Sequence, residues 1–143
     1  MDVPKILILD DREDYLRALQ AALRRDFEAV CARSLQEAVQ LMDATVQVAL
    51  VDVRLSEQEP ANREGLVFLE KLRERYPATP VIMMSAYRDV DALETLVLGA
   101  DFFLRKPIDL RELRALLRDF AQHGRMPEKT AQLRTTLHQE EHS

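Results

Sequence analysis

At 143 residues, with 47% hydrophobic and 31% charged side chains, the chain holds one globular domain's worth of sequence, long enough to bury a single core. Its net charge of -5 has the wrong sign for gripping nucleic acid through phosphate neutralisation, and no run approaches the roughly 20 apolar residues of a membrane span. The opening Met1-Asp2-Val3-Pro4-Lys5 puts no basic run ahead of an apolar segment, so no signal peptide is expected, and the lone Cys31 allows no internal disulfide; a reducing cytoplasm fits both.

Apolar runs of strand length alternate with helical patterns from Lys5 to about Gln122. Ile6-Leu7-Ile8-Leu9 is continuously apolar, as in a parallel strand covered on both faces. Phe27-Glu28-Ala29-Val30-Cys31 is more mixed and reads as an outer strand, with Cys31 as a small buried hydrophobe. Ser34 with Glu37 has capping-box spacing at the start of a helix. Val48-Ala49-Leu50-Val51 and Val81-Ile82-Met83-Met84 are again fully apolar, and Ala100 to Leu104 supplies a fifth, shorter run. Before that run, Leu93, Leu96, Val97 and Ala100 line one face of a fourth helix. Asp109 with Glu112 caps a fifth, whose apolar face is Leu110, Leu113, Leu116, Leu117 and Phe120. Five strands and five helices in strict alternation imply an α/β fold: a doubly wound parallel sheet with helices on both faces and right-handed crossovers. Ligands in such sheets sit beyond the carboxyl ends of the strands.

At those ends stand Asp10-Asp11, Asp52, Ser85-Ala86 and Lys106-Pro107. Taken singly they are unremarkable, because Asp favours turns and helix caps wherever it occurs. Taken together they bring three carboxylates, a hydroxyl and an ammonium to one rim. Clustered carboxylates must bind a proton or a cation, and an oxygen-only set without histidine favours a hard ion such as Mg²⁺. Such a site suits a phosphoryl group, which needs its equatorial oxygens neutralised and a nucleophile in line. A carboxylate at Asp52 can act as that nucleophile, forming an acyl phosphate, with charge from Lys106 and a hydrogen bond from Ser85.

With these residues in place the chain resembles the receiver domain of bacterial two-component response regulators. The resemblance rests on Ile8-Leu9-Asp10-Asp11, Leu50-Val51-Asp52-Val53-Arg54-Leu55, Met84-Ser85-Ala86-Tyr87 and Gly99-Ala100-Asp101-Phe102-Phe103-Leu104-Arg105-Lys106-Pro107. It implies a flavodoxin-like sheet in the order 2-1-3-4-5. It further implies that Asp52 accepts a phosphoryl group from a phosphohistidine on a sensor histidine kinase or phosphotransfer protein. Asp11, Asp52 and the backbone carbonyl of Arg54 would hold Mg²⁺, with Asp10 acting through water. Ser85, Ala86 and Lys106 would contact the phosphoryl group, Ser85 and Phe103 would form the switch, and the Lys106-Pro107 bond would be cis. The output would be a changed helix 4-strand 5-helix 5 surface, with a homodimer through it as one outcome. Such a domain is a phosphoacceptor switch rather than an enzyme, with only slow self-dephosphorylation. The side chains of Arg54 and Tyr87, each two residues past a site residue, would flank the phosphoryl group and hinder water.

Two departures stand out from the family pattern. Ser56 replaces the usual Pro, and Gly65 comes later after Asp52 than is usual, leaving a longer polar loop over Ser56 to Glu64. Val97 falls where a charge is common. The receiver is expected over 1–122, with 123–143 as a linker or short helical tail in which Leu133 and Leu137 lie four apart. His123, His138 and His142 form no metal set. Three other functions fit less well. A haloacid-dehalogenase-type phosphatase needs Asp-x-Asp where this chain has Asp52-Val53-Arg54; a flavin carrier needs a phosphate-cradling loop that three glycines do not provide; a degenerate scaffold would not need the complete acidic and basic set.

Overall fold

The computed structural model describes residues 3–56, 58–59, 61–86 and 92–125. Tyr87 and the tail positions Leu133, Leu137, His138 and His142 lie outside the described residues. The elements run β1 (Lys5–Leu9), α1 (Glu13–Leu23), β2 (Glu28–Ala32), α2 (Leu35–Leu41), β3 (Val48–Asp52), α3 (Glu64–Arg75), β4 (Val81–Ser85), α4 (Ala92–Val97), β5 (Phe102–Arg105) and α5 (Leu110–His123). All four strand pairings are parallel, in the order β2-β1-β3-β4-β5, as expected for the doubly wound class.

Side-chain alternation divides the core into two layers. Ile6, Ile8, Val48, Leu50, Ile82 and Met84 join Leu16, Leu19, Leu23, Leu113, Leu117 and Phe120 on the face of α1 and α5. Leu7, Leu9, Ala49, Val51, Val81 and Met83 join Ala38, Phe68, Leu69, Leu72 and Leu96 on the face of α2, α3 and α4. Successive strand residues point to opposite faces, and both faces are covered, so after Lys5 the central strands β1, β3 and β4 are apolar up to Leu9, Val51 and Met84. The polar residue that ends each apolar run, Asp10, Asp52 and Ser85, therefore emerges at the carboxyl rim. No helix among the described residues is long and apolar enough to cross a membrane.

Some local expectations shift. Strand β2 starts one residue later than Phe27, which is buried outside it, and Cys31 is half-buried rather than buried because β2 is an edge. Helix α4 ends at Val97, which is 68% exposed and so leaves the expected apolar face, while Leu96 and Ala100 stay buried and are joined by Ala92 and Thr95. The Ala100 amide closes the helix onto the Thr95 carbonyl at 2.9 Å, which delays β5 to Phe102. Leu110, in the first turn of α5, is 38% exposed. The caps fall where expected: Ser34 Oγ accepts from the Glu37 amide, and the Asp109 carboxylate from the amides of Arg111 and Glu112.

The rim opposite the strand ends is locked by Asp101, 1% exposed. Its carboxylate accepts from the Val81 amide at 2.9 Å and from Arg125 Nε at 2.8 Å. Arg125, just past α5, also donates to the carbonyls of Pro77 and Gly99. Removing a hydrogen-bonded buried charge strands its partners. Asp101→Ala is therefore expected to cost about 2–4 kcal/mol, read as a lowered urea midpoint at unchanged slope.

Candidate functional site

The three central strands and the edge strand β5 each deliver one polar group to the carboxyl rim. Asp10 follows β1, Asp52 closes β3, Ser85 closes β4 and Lys106 follows β5. Backbone pairing past the strand ends fixes these positions: the Asp10 amide donates to the Ala32 carbonyl, Val53 to Met84, and Lys106 to Ser85 at 2.8 Å. The Lys106-Pro107 peptide is cis. Asp10 and Ser85 are fully buried and Asp52 is 6% exposed. One oxygen from each of Asp10, Asp11 and Asp52 lies within 4.8 Å of the others. The Lys106 ammonium sits 2.5 Å from Asp10 Oδ2 and 3.4 Å from Asp52 Oδ2. A cavity of about 150 Å³, lined by Asp11, Arg12, Asp52, Arg54, Ser56, Ala86 and Lys106, opens above the group.

The electrostatics follow from that crowding. Burial pushes the Asp52 carboxyl up to about 7, and the charges of Asp10 and Asp11 push the same way, against the pull of Lys106. Burial disfavours the Lys106 ammonium, but the carboxylates of Asp52 and Asp10 outweigh it, so its pKa lies above the ordinary lysine value. Asp10, Asp11 and Asp52 crowd around the one ammonium, with Arg12 and Arg54 also lining the cavity. The donor set, all carboxylate and close enough to share one ion, fits a small hard divalent cation.

The structure brings Asp10, Asp11, Asp52, Ser85, Ala86 and Lys106 together on this rim, and places Phe103 buried in the layer that holds Ala92 and Leu96. Arg54, 9% exposed, lines the cavity and donates to the Asn62 carbonyl at 3.3 Å. Three further residues shape the site in ways their sequence positions did not reveal. Asn62 Oδ1 accepts from the amides of Leu55 and Glu64, and so ties the long loop to the end of β3 and the start of α3. An Asn two residues ahead of a helix was the available signal. At Gly65 an added Cβ would lie 1.9 Å from the Asp52 carbonyl oxygen, so α3 reaches the acceptor strand only without a side chain there. Tyr15, in the first turn of α1, holds its ring 4.5 Å from Lys106 Nζ. Burial pushes its phenol above the usual tyrosine range, against the opposing charge of Lys106.

Comparison with known proteins agrees with this geometry. The family model described as the response regulator receiver domain matches residues 6–118. The chain is 33% identical over 138 residues to the regulatory protein AtoC of Escherichia coli K12, covering 94% of this chain and 29% of that protein. It is 36% identical over 120 residues to the response regulator protein PilR of Pseudomonas aeruginosa, covering 82% of this chain and 26% of that one. It thus spans less than a third of the length of either relative. Its fold matches a response regulator receiver domain protein from Clostridium thermocellum with a TM-score of 0.74 at 24% identity, covering 84% of this chain and 95% of the other. The chain belongs to the response regulator receiver domain family, the phosphorylation-based switches of two-component signalling.

Proposed function

We propose that Asp52 takes a phosphoryl group from the phosphohistidine of a sensor histidine kinase or phosphotransfer protein, and that the change is passed to the surface of α4, β5 and α5. The observation that carries this reading is the Asp52 carboxylate itself. It ends a fully buried strand, faces a cavity of about 150 Å³, and lies 3.4 Å from the Lys106 ammonium beside two further carboxylates.

In the transfer, an Asp52 oxygen attacks phosphorus as the bond to the imidazole nitrogen breaks, leaving an acyl phosphate and a neutral histidine on the donor. Asp11, Asp52 and the Arg54 carbonyl would hold Mg²⁺, with Asp10 acting through water, and the ion's charge would neutralise phosphoryl oxygens. Lys106, already poised between Asp10 and Asp52, supplies the second positive charge. The Ser85 hydroxyl and the Ala86 amide donate to the remaining oxygens. Arg54, held at the cavity wall by the Asn62 carbonyl, hinders an in-line water and so favours a long-lived phosphoryl group.

The family resemblance makes Phe103 part of the switch, together with Ser85. Here the ring is already 9% exposed, with the Arg105 guanidinium 5.9 Å from its centroid. The switch is therefore a shift in population between packings rather than a first burial. Val97, 68% exposed on α4, offers this face apolar area for self-association. Incubation with acetyl phosphate and Mg²⁺, followed by intact-mass and sedimentation measurements on the same sample, tests both halves. One phosphoryl group per chain and a rise in sedimenting mass are expected. Phosphorylation without Mg²⁺ contradicts the first half, and an unchanged mass at full labelling contradicts the second.

A further inference from the structure

We propose that Tyr15 is a positioning residue that confines the Lys106 ammonium to the acceptor side of the site; the inference rests on Asp52 being the acceptor. Lysine carries a flexible four-carbon stem, and its compact ammonium is strongly hydrated, so a charge alone does not hold it in one place. Three groups surround this one. Asp10 Oδ2 lies at 2.5 Å, Asp52 Oδ2 at 3.4 Å and the Tyr15 ring centroid at 4.5 Å, and the Lys106 side chain is 11% exposed. The ring supplies a negative π face that attracts the ammonium and also screens it from water.

The three partners differ in what happens when the site is used. Asp10 and Asp52 are the carboxylates that a divalent cation would also claim, and phosphorylation consumes an oxygen of Asp52. Both attractions therefore weaken at the moment Lys106 is needed. The attraction of the ring depends on neither metal nor acceptor, so it is the contact that persists through the transfer.

A second observation separates the ring from its hydroxyl. Tyr15 Oη is buried and has no hydrogen-bond partner among the described residues, so in this state it adds nothing to the hold on Lys106. Phenylalanine at this position should consequently preserve the effect, and an aliphatic residue of similar reach should not.

The test compares Tyr15→Phe, Tyr15→Leu and Tyr15→Met for the initial rate of phosphoryl uptake from acetyl phosphate at saturating Mg²⁺, each in the wild-type and Lys106→Met backgrounds. Urea unfolding of every variant establishes that the fold is kept. Tyr15→Leu and Tyr15→Met are expected to slow uptake roughly three- to tenfold, with Tyr15→Phe within about twofold of wild type. In the Lys106→Met background the Tyr15 substitutions should add no further loss, because the contact they remove is already gone. Equal rates for Tyr15→Leu and wild type, an equal loss in both backgrounds, or a phenylalanine variant as slow as leucine each overturn the inference. Lys106 NMR on the wild-type chain keeps the two readings apart. Ring-current-shifted ε-methylene protons without phosphoryl uptake would leave the positioning intact and defeat the acceptor reading. Uptake with unshifted ε-methylene protons would do the reverse.

Discussion

Without divalent metal, the fold is expected to lose stability as pH rises from about 4 to about 7, and Asp52→Asn is expected to remove that loss. The folded-state pKa of Asp52, about 7, lies above the roughly 3.9 of an unfolded aspartate, because burial disfavours the carboxylate and Asp10 and Asp11 repel it. Over that window the native state binds more protons than the unfolded chain, so unfolding becomes easier as pH rises. That difference between the folded and unfolded chain corresponds to about 4 kcal/mol, fully developed above pH 7. Lys106 does not shape this window: its raised pKa contributes stability that is complete below about 10 and is lost only above. Other carboxylates titrate in the same range, so the readout is the difference between Asp52→Asn and wild type in chemical unfolding. That difference should be near zero at pH 4 and reach about 2–4 kcal/mol in favour of the variant at pH 8. Mg²⁺ should stabilise the wild type more than the variant at pH 8. A difference that does not change with pH contradicts the electrostatic account of the site.

Gly65→Ala is expected to be the most damaging of the three glycine-to-alanine changes. The methyl carbon would meet the Asp52 carbonyl oxygen at 1.9 Å and the Asp52 carbonyl carbon and Val53 Cα at 2.8 Å, all backbone atoms that no rotamer change can move. The Gly65 amide also donates to the Val53 carbonyl at 3.0 Å, so the first turn of α3 is tied to the backbone it would have to leave. Overpacking against flexible side chains costs about 1–3 kcal/mol; against backbone, at least about 3 kcal/mol is expected, together with slower phosphoryl uptake because Asp52 itself is displaced. Calorimetry and the acetyl phosphate assay check both effects. A stability within about 0.5 kcal/mol of wild type would show that α3 does not press on the acceptor strand.

The central strands were legible because β1, β3 and β4 are covered on both faces, which leaves an unbroken apolar run ending at the first polar residue. That same end is where a doubly wound sheet puts its chemistry, so Asp10, Asp52 and Ser85 could be read directly. Elements at the sheet's edges were less clear. β2 shows its outer side to solvent, and α4 ends at Val97, too short to display a helical period. The site residues whose roles escaped act through contacts made across the fold. Gly65 matters because of a backbone 13 residues earlier in the chain, and Asn62 because its carboxamide reaches both Leu55 and Glu64. Tyr15 reads as a helix residue until the ammonium of Lys106, brought from the far end of the chain, is placed beside its ring. Periodicity reports which side faces the core; it does not report which distant side chain arrives there.

The central claim is that Asp52 carries the phosphoryl group, and reductive trapping tests it most directly. Borohydride reduces an aspartyl phosphate to homoserine, marking the acceptor covalently. After incubation with acetyl phosphate and Mg²⁺, peptide mass spectrometry is expected to locate that conversion at Asp52, and to find none in Asp52→Asn. Conversion at Asp10 or Asp11 in the wild-type chain, or undiminished labelling of Asp52→Asn, would contradict the assignment.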